Sequence, residues 1–158
     1  MDPAIKKQAL RTFTYGLYIV TCREGDEVNG FTANWLTQIS FEPPLLAVSV
    51  ENSAKSLPMI LNSQQFTINV LRTGQRPLAA ALGKSAYKHP DKLSGIDYTL
   101  NEQGHPILSA ALSWVACAVR QSAPAGDSTL IIAEVIDAGV LTEGQALTML
   151  ETGFKHAG

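Results

Sequence analysis

Little in this chain offers the usual handles for chemistry. Its two cysteines stand far apart, at 22 and 117, and its three histidines, at 89, 105 and 156, are scattered singly. Without paired cysteines, HExxH or DxDxDG spacing, a metal site has no support in the sequence. GxSxG, P-loop and GxGxxG patterns are missing too, which leaves Ser/His hydrolysis and the common nucleotide folds without a signature. Charge of neither sign dominates: 12 Lys and Arg against 14 Asp and Glu leave a net −2 and no basic stripe for nucleic acid. Apolar runs are all short of a membrane span, and the N-terminus lacks the apolar core and cleavage site of a secretory signal. The expectation is a cytoplasmic protein with neither a nucleic-acid nor a membrane partner. Its chemistry must then come from a bound organic cofactor.

What is present is ordinary for a globular protein. At 158 residues and 46% hydrophobic content the chain suits one domain, residues 1–158, with a full core. Cys22 and Cys117 sit among Ile19, Val20, Val115 and Val119, where a thiol acts as a small hydrophobe, so both are expected to be buried and free. Asp2-Pro3 predicts a capped N-terminal helix, with Ile5, Ala9, Leu10 and Phe13 on one face. TYGLYIVTC at 14–22 reads as a strand, turned by Glu24-Gly25-Asp26. Phe66, Ile68 and Val70 alternate with Thr67 and Asn69 as a half-buried strand, expected to pair with 45–50. A short helix over 75–82 is expected to end at Gly83 in the left-handed region. The long loop KSAYKHPDKLSG then carries three lysines and His89, and reads either as a functional loop or as a solvated connector. Residues 110–121 and 128–141 form a long hairpin turned at 124–127, and 146–150 a closing strand. Strands dominate and no βαβ alternation occurs. The fold class is mainly β, a small antiparallel Greek-key barrel with a few short flanking helices.

The stretch from Val28 to Ser56 is the one unusual segment. Its polar residues Thr32 and Asn34 lead to Trp35, which reads as strand grammar interrupted by a polar loop. Pro43-Pro44 then stops one strand and Leu45–Val50 starts a buried one. A helix over 54–62 comes next, with Asn52 or Ser53 as its cap. Two serines and Lys55 at a helix N-terminus, with free amides, can cradle a phosphate monoester. An ordinary capped surface helix fits the same spacing.

Five segments in order, YGLYIVT (15–21), NGFTANW (29–35), SFEPPL (40–45), FTINVL (66–71) and GDSTLIIAEV (126–135), resemble the flavin reductase-like proteins with an FMN-binding split barrel. The resemblance covers about residues 10–152. It implies a homodimer with FMN, or the larger FAD, near the subunit interface. By motif it places Thr32, Ala33, Asn34 and Trp35 along the isoalloxazine, Ser49 and Val50 at its far edge or ribityl chain, and Ser53, Lys55 and Ser56 at the phosphate. For Trp35 a core-filling role is the other reading. One departure stands out: many NAD(P)H-oxidising members carry histidine where this chain has Ser128, on the nicotinamide side of the site. The family's domains also occur beside rubredoxin-like or diiron domains, and residues 1–158 include neither.

The resemblance leaves two principal functions open. One is an NAD(P)H-dependent reductase delivering electrons to free flavin, a monooxygenase or a ferric chelate, with no side-chain acid or base required. The other is a flavoredoxin-type carrier whose bound FMN exchanges electrons with a redox partner protein. A pyridoxamine-phosphate-oxidase-like binder fits NGFTANW and SFEPPL less well.

Overall fold

In a computed structural model, residues 1–157 are described. The chain runs α1 (Pro3–Leu10), β1 (Tyr18–Glu24), β2 (Glu27–Ala33), β3 (Leu36–Ser40), β4 (Leu45–Glu51), α2 (Ser56–Ser63), β5 (Gln65–Val70) and α3 (Arg76–Leu82). It continues through β6 (Tyr98–Leu100), β7 (Pro106–Leu108), β8 (Ser113–Ala125), β9 (Ser128–Val140) and α4 (Met149–Thr152). Seven strands make one sheet in the order β2-β1-β5-β8-β9-β4-β3, every neighbouring pair antiparallel. The mainly β, antiparallel class read from the sequence is the class observed. Among the described residues no helix is long and apolar enough to cross a membrane.

The sheet is rolled. Val20 of β1, Val48 of β4, Phe66 of β5 and Ile131 of β9 come from both halves of it and share one core cluster. Its two edge strands, β2 and β3, are consecutive in the chain, with only Asn34 and Trp35 between them, yet no ladder joins them. The roll therefore stays open along one seam, with Trp35 at its corner. The Trp35 carbonyl accepts from the Ser49 amide at 3.0 Å, which pins that corner to β4.

The β2-β1-β5 portion is covered on both faces. Inward, Val20, Cys22, Phe66 and Ile68 meet Leu57, Met59 and Ile60 of α2. Outward, Ile19 meets Ala79 and Leu82 of α3, with Leu108 of β7. This double cover explains why Ile19 to Cys22 of β1 are buried in succession, and each such apolar side chain contributes roughly 1.5–3 kcal/mol. It also buries Thr67 and Asn69, the polar alternates of β5 that the sequence pattern assigns to solvent. Asn69 Nδ2 donates to the Ile19 carbonyl (3.3 Å) and Thr21 Oγ1 (3.2 Å), and its Oδ1 accepts from the Leu108 amide (2.8 Å). Satisfied in this way, a buried amide is tolerated.

Several expectations are corrected by this fold. β5 pairs with β1 and β8, not with the 45–50 strand; β4 pairs instead with β9 and β3. Residues 29–33 are not a loop but the body of β2, their polar side chains absorbed by partners described below. Asp2 caps α1 as expected, through a 2.8 Å bond from the Ala4 amide, but no residue of α1 is buried. Gly83 closes α3 with φ −73°, an ordinary right-handed value. The long hairpin turns on Gly126-Asp127 alone, with Pro124 inside β8, and Gly126 at φ 69° supplies the conformation a tight turn requires. The closing strand reduces to single bridges, Ala146 with Arg72 and Thr148 with Gly16, before Thr148 caps α4. The β6–β7 hairpin has no counterpart in the sequence reading.

Candidate functional site

One cleft of about 610 Å³ opens at the seam, within the range of small-molecule sites. All nine residues that the resemblance assigns to a cofactor line it: Thr32, Ala33, Asn34 and Trp35 from the β2–β3 corner, Ser49 and Val50 from β4, and Ser53, Lys55 and Ser56 from the approach to α2. Ser128 is not among its walls. That side chain is 2% exposed, its hydroxyl 3.2 Å from Asp127 Oδ1 at the start of β9.

The approach to α2 departs from the expected cap. Lys55 occupies the N-cap position with no side-chain hydrogen bond to the helix. Asn52 is drawn away to the β8–β9 turn, where its Oδ1 accepts from Thr129 (2.8 Å) and its amide donates to the Asp127 carbonyl (2.9 Å). The amides of Ser53, Lys55 and Ser56 consequently have no hydrogen-bond acceptor among the described residues, and the Ser53 hydroxyl is exposed and unpaired there. Free N–H groups at the start of an eight-residue helix are an anion cradle. Lys55 lends charge but shares it, since its ammonium is paired with Glu27. Ser56 is 1% exposed and accepts from Asn29 Nδ2 at 2.8 Å, so its hydroxyl fixes the end of β2 to α2.

At the other end of the cleft, Thr32 Oγ1 donates to the Ala79 carbonyl at 2.6 Å, which ties β2 to α3. Trp35 is 36% exposed on the cleft wall and belongs to neither core cluster, so it does not fill the interior. A planar ligand can lie against it.

Two contributors were not visible as site residues in the sequence. Lys84, Ser85 and Lys92 of the loop after α3 line the cleft. Lys92 Nζ donates to the carbonyls of Leu82 (3.0 Å) and Lys84 (2.7 Å), and burial pushes its pKa down from the ordinary lysine range, with a smaller opposing influence from Cys22. The loop's length and three lysines were its only signal. The C-terminal segment had none, yet Phe154, Lys155 and His156 fold onto the same cleft. His156 Nδ1 lies 2.9 Å from Asn34 Oδ1, its Nε2 lies 3.1 Å from Glu51 Oε1, and its ring stands 4.9 Å from that of Trp35.

The arrangement thus joins an anion cradle to a planar platform inside one cleft, and among the described residues it places no nucleophile beside a base. The donor set fits a phosphorylated aromatic ligand such as a flavin nucleotide. Residues 10–158 match the flavin reductase like domain. The chain is 38% identical to a high molecular weight rubredoxin of Moorella thermoacetica over 89% of its own length, spanning 62% of that protein. It is 30% identical to a flavin reductase of Pseudomonas putida across 98% of this chain and 89% of the relative. Its structure is similar to an NADH:FAD oxidoreductase of Streptomyces globisporus, with TM-score 0.81 and 28% identity over 94% of this chain and 85% of that one. On its sequence match and its rolled antiparallel sheet alike, the chain belongs to the flavin reductase-like domain family and is an oxidoreductase.

Proposed function

We propose that this protein is an FMN-binding reductase that takes electrons from NAD(P)H and delivers them to free flavin or to a redox partner protein. The observation that carries the reading is the set of unpaired amides at Ser53, Lys55 and Ser56, in the same cleft as the exposed face of Trp35. A phosphate satisfies the first and an isoalloxazine the second. Ser53 and Lys55 would hold the phosphate, and Asn34, Trp35 and Ser49 would border the ring. Bound flavin would supply a ring system able to take up two electrons from a nicotinamide. The chain's own part is to bind and orient, and no side-chain acid or base is required of it. FAD would use the same cradle with its additional phosphate toward Lys84 and Ser85.

A second reading, a carrier whose bound flavin exchanges electrons only with another protein, is favoured by the likeness to the rubredoxin and by serine at position 128. Anaerobic titration of the flavin-loaded protein with NADH separates the two. Bleaching of the flavin absorbance at stoichiometric NADH supports the reductase. Flavin retained but unbleached supports the carrier, and failure to bind any flavin would remove both.

A further inference from the structure

The C-terminal segment uses one side of the cleft in a way the flavin reading alone does not explain. Gly153, at φ 72°, turns the chain out of α4. Arg76 then clamps the segment on both sides of that turn: its Nε donates to the Thr152 carbonyl at 2.7 Å and its guanidinium lies 4.8 Å from the centre of the Phe154 ring. Beyond the clamp, Arg11 Nε reaches the Ala157 carbonyl at 3.4 Å. Between these two anchors His156 is presented to the cleft, the one histidine among the described residues of its walls.

The hydrogen bonds fix how it is presented. Asn34 Nδ2 is engaged with the His156 carbonyl (3.0 Å) and with Met149 Sδ (3.4 Å), so Asn34 Oδ1 is the atom turned to the imidazole. Glu51 Oε1 faces the other ring nitrogen. Both ring nitrogens therefore face oxygen partners, Asn34 Oδ1 on one side and Glu51 Oε1 on the other. The two contacts differ in permanence. Asn34 is 6% exposed and held, whereas the Glu51 side chain is 56% exposed and free to swing away. An oxygen of an incoming anionic ligand can replace that carboxylate on Nε2. The place matters as well, because Glu51 is the register partner of Ser128, so the tail brings an imidazole to the end of the β4–β9 ladder where β9 itself offers only a buried hydroxyl.

We propose that His156 is a recognition residue for the second reactant of the site, a pyridine dinucleotide, whose pyrophosphate or carboxamide oxygen takes the place of Glu51 on the imidazole. The proposal rests on the flavin-binding reading. Lys55 and the free amides serve the phosphate of the resident group, and His156 serves the molecule that comes and goes.

The test measures binding without turnover. Flavin-loaded protein is titrated with NAD⁺ by calorimetry, and flavin affinity is measured separately by fluorescence quenching, for wild type, His156→Ala and His156→Gln. The expected result is a dissociation constant for NAD⁺ raised about tenfold by His156→Ala, with His156→Gln, which keeps an N–H donor, recovering most of the loss and flavin affinity within twofold throughout. An NAD⁺ constant indifferent to position 156 would overturn the proposal. So would an equal loss of flavin affinity, which would make His156 part of the flavin wall, or a glutamine variant as weak as alanine. A wild-type protein that takes up no flavin at all would overturn the reading beneath it as well.

Discussion

Lys55 brings a positive charge to the α2 cradle, and its pairing with Glu27 sets how much that charge is worth. The side chains are 27% and 54% exposed, so water screens both. Lys55→Ala is expected to weaken flavin binding by about 1 kcal/mol, roughly fivefold. Glu27→Gln should act oppositely, since it releases the ammonium from its competitor, and affinity should rise by a similar factor. If both variants bind as wild type does, the unpaired amides alone hold the phosphate. The buried thiols give a second prediction at this scale. Burial pushes Cys22 up to about 11 and Cys117 up to about 12, from an ordinary value of 9.0. Above pH 9 the unfolded chain loses these protons first, so stability must fall as pH rises from 9 toward 11–12. Denaturant midpoints measured from pH 8 to 11 should drop, and a Cys117→Ala variant should show a shallower decline. The motif residues were legible in the sequence because their types are unusual together. Ser56 was legible as a candidate that the structure places on the cleft wall, but its role in tying Asn29 to α2 was not, since that depends on a contact across 27 positions.

At the scale of elements, strands are easier to read than their partners. Phe66, Ile68 and Val70 announce a strand by alternation, but alternation says nothing about which neighbour it joins, and β5 lies between β1 and β8. The β6–β7 hairpin leaves no trace in the sequence because Tyr98–Leu100 and Pro106–Leu108 are three residues each, too short for a period to register. The loop after α3 stands out by its length and lysines, and the reason it lies on the cleft is local. Lys92 folds back to the Leu82 carbonyl at the end of α3, which has no helical donor, and to the Lys84 carbonyl just beyond it, and Leu93 anchors the loop in the outer core. Lys92→Met should leave those carbonyls unpaired at a cost of about 1–2 kcal/mol. Hydrogen exchange should then accelerate across 84–97 while β1 and β5 stay protected. Uniformly increased exchange would mean that Lys92 supports the whole fold and not the loop.

For the whole molecule, the outer surface near β3 and β9 carries more apolar side chain than a solitary chain has use for. Ile39 and Phe41 are 47% and 90% exposed, Ile136 and Val140 41% and 80%. A homodimer through this face, as the family resemblance implies, should sediment as a stable species of twice the chain mass, and Phe41→Lys should shift it to monomer. Wild-type protein that stays monomeric at high concentration would refute the dimer.

The position of the cleft also sets the order in which the molecule can mature. Asn34 and His156 meet across 122 positions of sequence, the longest closure among the site's hydrogen bonds, whereas the β8–β9 hairpin closes on a two-residue turn. Closure over so long a chain pays its entropy before contacts return anything, so the tail docks after the sheet has rolled. In refolding experiments on a Trp114→Phe variant, the fluorescence of Trp35 should lag behind the far-ultraviolet signal of the strands. Coincident traces would place the tail in the nucleus. A chain that acquires its binding cleft last passes through a folded, ligandless stage, and the flavin then acts on it as a kinetic latch, slowing reopening more than it hastens folding.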